Sequence, residues 1–118
     1  MALTVTTQTC PEYLKVVVAG DWSLDGILKV IESLKAEADR AERSRLLVDL
    51  RGMEGNPQVV ERYDAGRHIA MFLLEYRMAV VAQAKHITHF AELVANNRGA
   101  TMAVFISKEE AISWLIRE

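Results

Sequence analysis

One histidine pair, one aspartate–histidine pair and one strand end are the places where this chain could do chemistry. His86 and His89 stand three residues apart near a helix start and could share a metal. Only two ligands are visible there, however, whereas zinc sites take three or four, usually with cysteine or carboxylate partners. Asp64 and His68 are one helical turn apart, a spacing at which a carboxylate can hold an imidazole in orientation. An acid–base site would also need a nucleophile. No serine or threonine lies near in sequence, and the single cysteine, Cys10, stands between Thr9 and Pro11 in a turn. The pair is therefore expected to be a surface helix pair. No catalytic residue, metal ligand or cofactor-binding residue is assigned, and the chain is expected not to be an enzyme.

The strand end is "RLLVDLRGMEGNPQ", residues 45–58, an apolar run that ends in Asp49 and passes through Arg51-Gly52 into a loop. "GMEG" lacks both the spacing and the Lys-Ser/Thr of a phosphate-binding loop. In a parallel sheet, ligands tend to bind at the carboxyl ends of the strands. That edge would collect Asp21 and Trp22, residues 51–56, residues 83–86, and Ser107. Trp22, Arg51, Glu54, Asn56, Lys85 and His86 are the candidate ligand or partner edge; Arg51, Lys85 and His86 could orient an anion. The plainer alternative is that all of these are ordinary polar loop residues.

The elements that must position this edge are legible from periodicity. Residues 3–8 alternate as a half-buried strand, and "YLKVVVAG" (13–20) is a second, β-branched strand close enough to pair antiparallel with the first. Residues 23–44 read as an amphipathic helix. Ser23 is its N-cap, Asp25 lies near its positive end, and Ile27, Val30, Ile31 and Leu34 form its core stripe. Three nearly continuous apolar strands follow (45–50, 77–84 and 100–106), as expected of strands covered on both faces. Helices are expected over 57–76, 86–97 and 107–118, the last opened by a capping box at Ser107–Glu110. The fold class is α/β: a four- to five-stranded, mostly parallel sheet with flanking helices in the order ββαβαβαβα.

A chain of 118 residues is expected to form one domain, 1–118. A net charge of −2 gives no bulk electrostatic reason to bind nucleic acid, so none is expected as a partner. One cysteine cannot form an intrachain disulfide, which suits a reducing, cytoplasmic location. The longest apolar runs are far short of the roughly 20 residues that span a bilayer, so an integral membrane protein is not expected.

The element order and "LLVDLRG" resemble the domain shared by sulphate transporters and anti-sigma-factor antagonists, called STAS. "FISKEEAISWLIRE" is similar to the tail of its divergent SpoIIAA-like branch. That resemblance implies a non-catalytic interaction or ligand-binding module, related in shape to Sec14-type lipid carriers. One departure bears on regulation. Phosphorylated antagonists carry a serine or threonine after the Asp-Leu-x-Gly segment, whereas this chain has neither between Ser44 and Thr88. The resemblance therefore implies no phospho-switch here. Glu54 or Glu61 could imitate a phosphate, but solvated carboxylates are the plainer reading.

The most unusual stretch is "IAMFLLEY", residues 69–76, because six consecutive apolar residues would encircle a helix that needs only one apolar stripe. Some of Met71, Phe72 and Leu74 should then project from the core. They would meet a neighbouring helix, form a subunit contact, or line an apolar mouth. These observations lead first to a non-catalytic binding or regulatory domain acting through protein contact, as a homodimer. The alternative is a carrier or sensor of a small apolar or amphipathic ligand such as a lipid.

Overall fold

The computed structural model describes residues 2–117. Its elements are β1 (Thr4–Thr9), β2 (Leu14–Asp21), α1 (Leu24–Ala41), β3 (Arg45–Glu54), α2 (Val59–Phe72), β4 (Arg77–Val81), a 3-10 turn (Ala84–His86), α3 (Phe90–Asn97), β5 (Thr101–Phe105) and α4 (Lys108–Ile116). The five strands lie in the order β1-β2-β3-β4-β5. β1 runs antiparallel to β2, and every other pair is parallel.

That order decides where the helices go. Each crossover from β2 to β5 steps to the next strand in one direction, and right-handed crossovers that all step one way place their helices on one face. Accordingly α1, α2 and the β4–β5 connection share a face with Val16, Val18, Leu46, Val48, Met78 and Val80. α4 follows the last strand and covers the opposite face, where Leu47, Ala79 and Val81 meet Ala111 and Leu115. Arg77, at the start of β4, holds the far end of α4: its guanidinium stacks 3.7 Å from the Trp114 ring centroid and donates to the Trp114 carbonyl at 2.8 Å.

The N-cap at Ser23 forms as expected. The expected capping box at Ser107–Glu110 forms only in its Ser107 half: the Ser107 hydroxyl donates to Glu109 Oε2 at 3.3 Å, and among the described residues no bond from Glu110 returns to the Ser107 N–H. Ser23 Oγ accepts from the Gly26 N–H at 3.1 Å, Ser107 Oγ accepts from the Glu110 N–H at 3.2 Å, and the α1 stripe Ile27, Val30, Ile31 and Leu34 is buried. Several boundaries differ. α1 stops at Ala41, where Glu42 adopts a left-handed conformation and its N–H returns to the Ala38 and Asp39 carbonyls. The expected helix over 86–97 splits into the 3-10 turn and α3, with His89 left-handed between them. β1 is exposed along its whole length rather than half-buried, because it is the sheet edge and neither helical layer extends over it.

The apolar run at 69–74 is also corrected. α2 ends at Phe72, so the run does not stay helical. Its last N–H bond, Leu73 to the Ile69 carbonyl, leads into a turn closed by Tyr76 N–H to Leu73 O, and Leu73 is only 1% exposed. Leu73 lies four residues after Ile69 and so shares the buried face of α2 with Ala65, Gly66 and Ile69.

Candidate ligand cavity

"VDLRG" builds a β-bulge. Val17 pairs with Asp49 but Ala19 pairs with Gly52, so β3 carries one extra residue between these rungs. A bulge changes which face the following side chains take. Here Val48 and Leu50 pack toward the helical core, and after the bulge it is Met53, 8% exposed, that returns to it. Asp49 holds the bulge: its carboxylate accepts the Arg51 backbone N–H at 3.0 Å and two guanidinium bonds, from Nε at 3.0 Å and Nη2 at 2.8 Å. The Arg51 side-chain bonds hold the Asp49 carboxyl below its usual range, outweighing the upward push of burial. Gln83 then donates to the Arg51 carbonyl at 2.8 Å, tying the end of β4 to the same place.

On the helical side of the sheet lies a cavity of about 140 Å3, reached from the strand-end edge. Its walls are the stripe Ile27, Val30, Ile31 and Leu34 of α1, the sheet residues Val18, Val48, Met78 and Val80, and Ala65 and Ile69 of α2. The bulge residue Met53 is also in the lining. These walls offer no hydrogen bond to water, and dry apolar cavities of about this size accept molecules as large as benzene.

Polar groups gather at the mouth. Trp22 Nε1 donates to Glu61 Oε2 at 3.3 Å, and Glu61 Oε1 accepts from the Gln58 N–H at 2.8 Å at the start of α2. Arg62 bridges two loops, donating from Nη1 to the His86 carbonyl at 2.9 Å and from Nε to the Pro57 carbonyl at 3.3 Å. His89 Nδ1 lies 2.6 Å from Glu92 Oε1. Gly55, in positive-φ geometry, packs its Cα against Trp22, where an added Cβ would sit 3.0 Å from the Trp22 Cβ. Trp22 and the β3 end are joined further by Trp22 N–H to Glu54 O at 2.7 Å.

The residues singled out in the sequence are thus divided. Trp22 lines the cavity, and Glu54 supports it through its backbone. Arg51 is engaged by Asp49, so its charge is already answered. Asn56 and Lys85 are exposed, and His86 is half-buried with its carbonyl on Arg62. The Asp64–His68 pair does not form. Asp64 lies 3.9 Å from Arg67, while His68 Nε2 reaches across to Glu32 Oε2 of α1 at 2.7 Å and its ring packs on Phe72 at 4.8 Å. No group of three or more metal-ligating side chains is present among the described residues. Met71 is 62% and Leu74 50% exposed, and Phe72 is half-buried.

Arg62 was missed. The signal was available: Arg62, Ala65 and Ile69 recur at helical spacing, a cation heading an apolar stripe. What the spacing lacks is the carbonyl of His86, 24 positions away, that fixes the guanidinium.

Among curated proteins none matches the chain. Its structure is similar to the crystal structure of an anti-sigma factor antagonist from Mycobacterium paratuberculosis, with a TM-score of 0.64 and 15% identity over 97% of this chain and 94% of that one. It is also similar to an uncharacterised protein with a SpoIIAA-like fold from Shewanella loihica, with a TM-score of 0.59 and 19% identity over 97% and 93%. At these identities the likeness concerns the fold. The family model for SpoIIAA-like proteins matches residues 13–116, nearly the whole chain, and the chain belongs to that family.

Proposed function

We propose that this domain is a non-catalytic binding module whose cavity takes a small apolar or amphipathic molecule, as a carrier or sensor. The observation that carries this reading is the apolar cavity of about 140 Å3 beneath α1 and α2, ringed by polar groups only at the strand-end mouth. A pocket that is apolar within and polar at its rim is the usual form of a small-molecule site. Native mass spectrometry of gently purified protein tests this reading: a co-purified small molecule, released on denaturation, is expected. Protein that stays ligand-free after incubation with small hydrocarbons would contradict it.

A second reading is regulatory protein contact, including a homodimer, without a phospho-switch. Two observations favour it: the exposed Met71 and Leu74 near the end of α2, and a fold shared with a protein described as an anti-sigma factor antagonist. Exposed apolar side chains close together mark contact surfaces. The readings are compatible, because Met71 and the cavity residues Ala65 and Ile69 belong to the same helix. No helix among the described residues is long and apolar enough to cross a membrane.

A further inference from the structure

The outer face of α2, turned away from the cavity, is symmetric about one residue. Arg67 is exposed; Tyr63 and Met71 stand four residues to either side of it, and Val60 and Leu74 stand seven. Offsets of four and seven keep to one stripe of a helix, close to the 3.5-residue period of a coiled-coil seam. All four of these apolar side chains are exposed. Leu74 lies in the turn beyond the helix and leans on Gly99, whose Cβ would sit 3.3 Å from Leu74 Cδ1. Tyr63 is ordered from the α3 side: Arg98 Nη2 donates to its hydroxyl at 2.9 Å, and the Arg98 guanidinium lies 5.3 Å from its ring centroid. Beside the stripe, Asp64 pairs with Arg67 at 3.9 Å, and the Arg67 side chain keeps 47% of its surface in solvent.

A stripe that is symmetric about its own midpoint fits a second copy of itself. In an antiparallel pairing of two α2 helices about a twofold axis at Arg67, Val60 meets the partner's Leu74 and Tyr63 meets the partner's Met71. Contacts of this isologous kind are the commonest in homo-oligomers. Arg67 alone would face its own copy, which like charge disfavours. Asp64, less than one turn before it, removes that objection: each Arg67 then stands between its own Asp64 and the partner's, and the four charges sum to zero. Charge complementarity across an interface fixes its register. Composition agrees, because Tyr, Met and Arg are enriched in contact surfaces and Lys is depleted, and α2 has no lysine. We propose that the protein pairs with a second copy through the outer face of α2, antiparallel and centred on Arg67, with Asp64 and Arg67 exchanging ion pairs across the axis. This inference rests on the protein-contact reading above and adds the partner and the register to it.

The test is a charge exchange, read by light scattering over a concentration series. The wild type is expected to dimerise. Asp64→Arg and Arg67→Asp each leave four like charges at the axis and should weaken the dimer by about a hundredfold or more. An equimolar mixture of the two variants puts opposite charges back across the axis and should dimerise again. Both side chains are at least one third exposed, so unchanged melting temperatures separate lost association from lost folding. Asp64→Lys and Arg67→Glu give a second pair for the same exchange. A dimer that survives both single variants but is lost in Met71→Glu overturns this register and leaves the contact surface standing. Variants that stay monomeric when mixed overturn the exchange across the axis. A monomeric wild type overturns the proposal together with the dimer reading.

Discussion

Gly66 of α2 lies against the carbonyl of Ala91 in α3, so close that a Cβ on Gly66 would sit 2.6 Å from the oxygen and 2.9 Å from the Val94 Cβ. A backbone oxygen cannot move aside as a flexible side chain can. The absence of a side chain at this position therefore sets the distance between the two helices, with the cavity residues Arg62, Ala65 and Ile69 on the same helix.

Gly66→Ala is expected to destabilise the fold. An alanine in mid-helix would ordinarily gain up to about 1 kcal/mol over glycine. Overpacking here should exceed that gain, for a net loss of about 1–2 kcal/mol. Urea unfolding would measure it, and a variant as stable as the parent would show that α3 can shift outward freely.

Asp49→Asn removes the charge that holds the bulge. The Asp49 carboxyl is depressed in the folded state, chiefly by the Arg51 side-chain bonds. A depressed carboxylate contributes stability that is present above its unfolded pKa, about 3.9, and is lost as pH falls through the lower folded value. At pH 7 the substitution should cost about 1 kcal/mol, below the usual range for bonds to a charged group, because the Arg51 side chain is 46% exposed and solvent screens the pair. The difference between variant and parent should shrink steadily below about pH 4. A cost independent of pH would mean that shape, not charge, fixes the bulge.

These two devices show where sequence reasoning reaches and where it stops. The α1 stripe and the N-caps at Ser23 and Ser107 follow from periodicity and local hydrogen-bonding chemistry, which act over a few residues. "VDLRG" was visible as a strand end, but its bulge depends on register with β2, and only register shows that Met53 turns inward. His68 was paired with the wrong carboxylate because Asp64 is near in sequence while Glu32 is near in space, 36 positions away. The end of α2 was obscured because "AMFLL" has no local signal to stop, although the helix ends at Phe72.

Ala65→Leu fills the cavity from its α2 wall. Cavity filling commonly stabilises by about 0.5–2 kcal/mol where the side chain fits without strain. The variant is expected to melt higher than the parent and to lose binding of small hydrocarbons. A variant that melts higher and still binds them would place the ligand elsewhere.

Met71→Glu tests the protein-contact reading. Met71 is 62% exposed, so the monomer should tolerate the charge with a stability change within about 0.5 kcal/mol. Light scattering is expected to show a dimer that the substitution converts to monomer. A monomer both before and after would remove the dimer and leave only contacts with other partners.

The most direct test of the central claim is a titration of methyl-labelled protein with benzene, followed by NMR. Shifts are expected to concentrate on the methyl groups of Ile31, Val48, Ile69, Met78 and Val80, which face the cavity from α1, the sheet and α2. The methyls of Ala111 and Leu115, on the opposite face of the sheet, should stay in place. Unmoved cavity methyls at saturating benzene, or shifts confined to exposed residues such as Met71 and Leu74, would contradict the account.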